Sequence, residues 1–161
     1  MLKVESLKSC IGILKKTEFE KLCNEIYDFT KDACGDYPNY KEWYFSKQIP
    51  RVFTSGGEIL FIRDKNKIVA VSSLKKDDEE RKLCTLYVSK CTRKKRIGTM
   101  LLEASMEFLG TTKPFITVAD YKLPMFKSII NKYDWQLIEV VNGLYKDGQK
   151  ELCFNGKLTK D

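Results

Sequence analysis

The residues best suited to chemistry in this chain lie in one run, Lys90-Cys91-Thr92-Arg93-Lys94-Lys95-Arg96, closing on Gly98. Before it, Leu83-Cys84-Thr85-Leu86-Tyr87-Val88-Ser89 is rich in β-branched, aromatic and aliphatic residues and reads as a buried strand. After it, Ile97 to Leu109 reads as a helix. Thr99, Glu103 and Glu107 recur at every fourth position there, one wet stripe on an apolar cylinder. A strand, a basic turn and a helix N-terminus together make an anion site, because the first helical turn has unpaired N–H groups at the positive dipole end. The added cations suit a multiply charged anion such as a pyrophosphate. A solvated loop and nucleic-acid contact are the competing readings, and no recognised nucleic-acid motif accompanies the run.

The chain has no histidine. Ser-His-Asp triads, Cys-His dyads and histidine zinc sites are therefore excluded. Cys10, Cys23, Cys34, Cys84, Cys91 and Cys153 are scattered without a Cys-x-x-Cys pair, which predicts free thiols and no metal site. Chemistry falls to carboxylates, tyrosines, thiols, backbone groups or a bound co-substrate. Asp120 ends the apolar strand Phe115–Ala119 and is the preferred acidic partner for an incoming amine, a turn cap being the alternative.

The elements that must position these groups follow from pattern. Residues 2–15 predict a first strand, and Thr17-Glu18-Phe19-Glu20 predicts a capping box opening a helix with Phe19, Leu22, Cys23, Ile26, Tyr27 and Phe29 near one face. A short helix over Lys41–Gln48 should stop before Pro50. Strands at Glu58–Arg63, Lys67–Leu74 and Lys82–Ser89, separated by Asp64-Lys65-Asn66 and by residues 76–80, predict an antiparallel meander. Gly110 should end the central helix, and Phe115–Ala119 should lie parallel to the strand before it. A helix over Leu123–Tyr133, with Met125, Phe126, Ile129 and Ile130 inward, should precede strands at 136–141 and 143–154, the second interrupted at 146–149.

Composition is that of an ordinary globular protein, 43% hydrophobic and 32% charged over 161 residues, which predicts one domain over 1–161; the order of strands and helices makes it mixed α/β (α+β). The net charge of +7 is mostly diffuse lysine. No apolar run approaches the ~18 residues of a membrane span, and no signal peptide is evident. The expectation is a soluble, cytoplasmic protein with no membrane partner, its oligomeric state left open, a homodimer included.

Leu86-Tyr87-Val88 followed by Arg93-Lys94-Lys95-Arg96-Ile97-Gly98-Thr99 resembles the acetyl-CoA motif of the GNAT family of N-acetyltransferases, Q/R-x-x-G-x-G/A before an apolar helix. Arg93 matches the first position and Gly98 the last, while Arg96 stands at the middle glycine. The element order matches too. The resemblance implies a GNAT fold whose central mixed, mostly antiparallel sheet has about six to seven strands, with helices on both faces. It implies an acetyl-CoA-dependent enzyme acting on an amine, without metal. Leu86, Tyr87 and Val88 would hold the pantetheine arm by backbone pairing, and Arg93, Lys94, Lys95, Arg96, Ile97, Gly98 and Thr99 the pyrophosphate.

The same resemblance bears on proton transfer. The family's strand glutamate falls on Cys84, which is a candidate base or a packing residue. Its late-helix tyrosine falls on Ile130, ahead of Asp134-Trp135 in place of a Gly-Phe pair, with Tyr133 and Tyr121 nearby in sequence. Asp120, Tyr133 and Cys84 are the catalytic candidates. Tyr37, Tyr40, Trp43, Tyr44 and Phe45 would wall the acceptor site or pack the core. Small-molecule, peptide and aminoacyl-tRNA amines all stand as acceptors. A CoA-binding domain that has lost its chemistry is the alternative, given the missing glutamate and tyrosine.

Overall fold

The structure is a computed structural model that describes residues 2–35 and 37–158, the side chains of 93–95 excepted. Its first element is short. Strand β1 covers only Val4–Ser6, and a helical turn, α1, follows at Leu7–Cys10. The strand expected over 2–15 is thus corrected, and Glu58 supplies the reason. Its carboxylate accepts from the Ser6 hydroxyl at 2.7 Å and from the Lys8 N–H at 3.0 Å, while the Ser6 oxygen accepts from the Ser9 N–H. These bonds cap a helix where propensity alone reads extended chain.

Helix α2 spans Lys16–Thr30 and buries Leu22, Cys23, Ile26 and Thr30. Its N-cap is Lys15, with no side-chain cap, so the capping box at Thr17 does not form. Next, α3 (Tyr40–Trp43), a π turn (Tyr44–Gln48) and α4 (Ile49–Val52) run on without a break. The expected stop before Pro50 is absent. Proline lacks an N–H and strikes the carbonyl one turn back, and the wider π turn is a register that accommodates it. Gln48 is fully buried, and its Nε2 donates to the carbonyls of Glu58 and Leu74, stitching this helix to two strands.

The meander forms as expected, with β2 at Gly57–Asp64, β3 at Lys67–Lys76 and β4 at Arg81–Val88. Lys65 and Asn66 both take positive φ between paired Asp64 and Lys67, a two-residue turn whose twist suits a hairpin. Gly57 has a steric reason: a Cβ there would sit 2.4 Å from the Arg51 Cγ. Helix α5 runs Ile97–Leu109 and ends on Gly110 at φ 74°, as its pattern predicts.

Strand β5 is Ile116–Ala119, followed by a 3-10 segment at Asp120–Met125 and helix α6 at Lys127–Tyr133. Pro124 lies inside the 3-10 segment, and Met125 is 51% exposed rather than inward. Strands β6 (Leu137–Asn142) and β7 (Lys150–Phe154) complete the chain's described elements. They form two sheets, ordered β1-β2-β3-β4 and β5-β7-β6. One apolar core lies between α5, α6 and the sheets, including Leu83, Leu101, Leu102, Ile116, Val118 and Trp135. A second, around Leu7, Ile26, Tyr44 and Phe61, packs α1–α4 on the opposite face of the first sheet. With seven strands and helices on both faces, this is the mixed fold the sequence predicts.

Candidate functional site

The two sheets meet at one parallel bridge. Phe115 pairs with β4 there, the Leu83 N–H donating to the Phe115 carbonyl at 2.9 Å and the Phe115 N–H to the Arg81 carbonyl at 2.7 Å. Beyond it β5 turns to β7, leaving β4 with a strand on one side only. A β-bulge helps the separation: Ser73 faces Thr85 and Leu74 faces Leu83, so Cys84 is the extra residue. Between the strands lies a cleft of about 600 Å³, lined along its sides by Leu83–Tyr87 and Ile116–Ala119.

Lys90 lines the same cleft, which brings the basic turn to its mouth. That turn is a 3-10 segment, Lys90–Lys95, and it delivers the chain to α5 through Arg96 at φ 60°. The position where the family pattern carries glycine is therefore a left-handed one, which arginine occupies under strain. No side chain caps α5. The Met100 N–H donates to the Arg96 carbonyl at 3.1 Å, and the N–H groups of Ile97, Gly98 and Thr99 form the first turn, the part of a helix that a ligand can bond. A Cβ at Gly98 would meet only the Val88 Cγ2, at 3.6 Å. The protein itself does not require glycine there, and the bare backbone fits close approach by a phosphate. Backbone along β4 and donors at α5 suit the arm and pyrophosphate of an acyl-CoA. The side chains of Arg93, Lys94 and Lys95 lie outside the described residues.

The catalytic candidates are not gathered together. Cys84 lines the cleft on the bulge, with burial pushing its thiol pKa up against the opposing Lys82 charge. Asp120 is the residue after cleft-lining Ala119, half-buried at the head of the 3-10 segment. Tyr133 stands elsewhere, beside Glu103, Met106 and Glu107 of α5. Tyr121 lines the cleft and is 58% exposed. Ile130 packs against the first core and carries no proton to give. Asp134 takes φ 53° at the end of α6, and Trp135 is buried.

Of the five aromatic residues considered for the acceptor wall, Tyr37 alone lines the cleft. Tyr44 is fully buried, its hydroxyl donating to the Cys23 carbonyl, and Tyr40 bonds Thr30 at 2.8 Å. Trp43 and Phe45 pack against the second core. Sequence reasoning missed Cys34, which is 5% exposed in the cleft wall, its thiol pKa raised by burial. It also missed Lys122, whose Nζ donates to the Ala33 carbonyl at 3.1 Å across the mouth. Glu151 and Tyr145 were missed as well.

Among the described residues no group of metal-ligating side chains and no helix long and apolar enough to cross a membrane is present. A sequence profile of the Acetyltransferase (GNAT) family matches residues 19–118. No curated protein sequence matches the chain. Among solved structures, the ribosomal-protein-S18-alanine N-acetyltransferase of Escherichia coli superposes with a TM-score of 0.69 at 13% identity, covering 100% of both chains. A GNAT family acetyltransferase of Bacillus cereus ATCC 10987 gives 0.64 at 16% identity over 99% of each. One from Elizabethkingia anophelis, solved with acetyl-CoA bound, gives 0.50 at 15% identity over 67% of this chain and 80% of that one. Bulged β4, diverging β5 and uncapped α5 are thus set in a fold these enzymes share, and the chain belongs to the acetyltransferase (GNAT) family.

Proposed function

We propose that this protein is an N-acetyltransferase that moves an acetyl group from acetyl-CoA to a primary amine, directly, with both bound at once. The observation that carries the reading is the parting of β4 from β5 beside an uncapped helix N-terminus. Backbone at Leu86, Tyr87 and Val88 pairs with the amide-rich pantetheine arm as a strand would. The N–H groups of Ile97, Gly98 and Thr99, with the charges of Arg93, Lys94, Lys95 and Arg96, take the pyrophosphate.

In the transfer, the amine nitrogen adds to the thioester carbonyl carbon and the C–S bond breaks. The leaving thiolate takes up a proton. The amine must first lose its own proton, and Asp120, one residue past the cleft wall, is the proposed acceptor of it, directly or through water. Cys84, held in its thiol form by burial, fills the bulge rather than carrying the acetyl group. Tyr133 does not line the cleft and receives no role. Holding both substrates between the strands supplies much of the rate.

A second reading, a CoA-binding domain without efficient chemistry, draws on Cys84 and Ile130 standing where the family has glutamate and tyrosine. Acetyl-CoA consumption against a panel of small amines, peptides and aminoacyl-tRNA separates the two. Turnover with any member supports the enzyme. CoA stabilisation without turnover favours the second reading, and no stabilisation by CoA overturns both.

A further inference from the structure

Glu151 is 1% exposed, and its place in the fold is not that of the other buried acid. Glu58 joins α1 to β2. Glu151 lies on β7 directly opposite Ala119 of β5, in a register that also sets Cys153 opposite Thr117. All four residues of β5 line the cleft, but only Ile116 and Val118 enter the first core, so Thr117 and Ala119 belong to the other face. Residues paired across an antiparallel ladder share a face. The Glu151 carboxyl is therefore on the face of the second sheet that carries Thr117 and Ala119, away from the first core.

Two tyrosines cover that face. The Tyr37 ring lines the cleft and meets Tyr145 edge to face, with centroids 4.5 Å apart. Tyr145 comes from the β6–β7 loop, and Tyr37 from the turn after α2. Burial pushes the pKa of both hydroxyls up, with the Glu151 charge the next cause for each. The Gln149 Nε2 orients the carboxyl from one side, donating to Oε1 at 3.2 Å.

A π face with a buried carboxyl near it is chemistry suited to an organic cation, which gains from the ring quadrupole and from a neighbouring negative charge. We propose that the Tyr37 ring is the contact wall of an acceptor subsite and that Glu151, acting through it as a positioning residue, selects an amine in its ammonium form. The inference rests on the acetyltransferase reading for what becomes of the amine, and on the cleft alone for its binding. A protein of net charge +7 repels cations at long range, so a cationic acceptor needs such a local site.

The test is an NMR titration of protein carrying 13C-labelled tyrosine rings, using n-butylamine and n-butanol as probes, with and without saturating CoA. The amine should shift the Tyr37 signal at a Kd roughly tenfold below that of the alcohol. Glu151→Gln should erase the preference while CoA affinity stays within about twofold, and Glu151→Asp should restore part of it. Equal affinities for amine and alcohol in the wild type overturn the subsite, whether or not the Gln variant folds. So does a Gln variant that keeps the preference. CoA binding with no amine preference removes the subsite and leaves the acetyltransferase reading. An amine preference without CoA binding does the reverse.

Discussion

Arg96 and Gly110 bracket α5 with the same left-handed backbone, φ 60° at the first and 74° at the second. Glycine adopts that conformation at no steric cost, whereas a side chain costs about 1–2 kcal/mol. The helix is thus entered under strain and left without it.

Arg96→Gly should therefore stabilise the fold despite the greater backbone freedom that glycine gives the unfolded chain. The net gain should be roughly 0.5–1 kcal/mol, a rise in Tm of about 2–3 °C for a chain of this size. Calorimetry of the ligand-free variant checks it. A fall in Tm would mean that contacts of the arginine side chain outweigh the strain.

Gly98→Glu should leave the fold intact, because a Cβ there meets only Val88 Cγ2 at 3.6 Å. It also puts a carboxylate beside open helix N–H groups, where it competes with phosphate. The circular dichroism spectrum should stay native while CoA affinity drops by about two orders of magnitude or more, from lost contact and charge repulsion. Undiminished affinity in a folded variant would remove the pyrophosphate from this loop.

Direct transfer predicts no covalent acetyl-enzyme. Cys34 and Cys84 both line the cleft, but burial raises the pKa of each, and the thiol is a poor nucleophile beside the thiolate. Intact mass after incubation with acetyl-CoA alone should show no hydroxylamine-labile acetyl group. A stoichiometric adduct lost in Cys84→Ala or Cys34→Ala would establish a relay instead.

Stability should fall on the alkaline side. Burial raises the Cys23 thiol from its ordinary 9.0 to about 11. A raised folded-state pKa stabilises fully below the unfolded value, so this contribution is whole below pH 9 and is lost as pH climbs to 11. The loss is about 1.4 kcal/mol per pH unit, or roughly 2–3 kcal/mol in all. Urea unfolding between pH 8 and 11 should give a shallower decline for Cys23→Ala. Parallel declines would show that the thiol titrates alike in both states.

Gln48→Leu should destabilise by about 1–3 kcal/mol, because it removes the donors to the Glu58 and Leu74 carbonyls in a buried place. The urea midpoint should drop with an unchanged slope. A neutral result would mean that the apolar side chain packs well enough to offset both lost bonds.

What the sequence made legible was local. The stripe of Thr99, Glu103 and Glu107 and the stop at Gly110 lie within one helix, and the Asp64–Lys67 turn depends on adjacent residues, so pattern was enough. The Ser6 cap of α1 is local, but Glu58, which bonds the Ser6 hydroxyl and the Lys8 N–H and so holds the turn in place, comes from a strand about 50 residues on and was not legible. Pro50 misled because its usual effect presumes an α-helical register, and the chain supplies a π turn. At the site, the basic turn and Gly98 could be read in line with the helix they precede. Glu151 could not, since its meaning comes from its register with Ala119 and from Tyr37 folding over that face.

The single bridge between Phe115 and β4 has a mechanical consequence. Each sheet is stiffened by its own ladder and the two share the first core, but backbone pairing between them is a single rung. The place where backbone pairing is thinnest is therefore at the centre of the molecule rather than at its rim. A chain-like ligand laid along β4 would act as a borrowed strand and add the rungs that the fold omits. Amide hydrogen exchange at Leu83 and Phe115 would slow accordingly, and the protein's stiffness would be shared with its substrate.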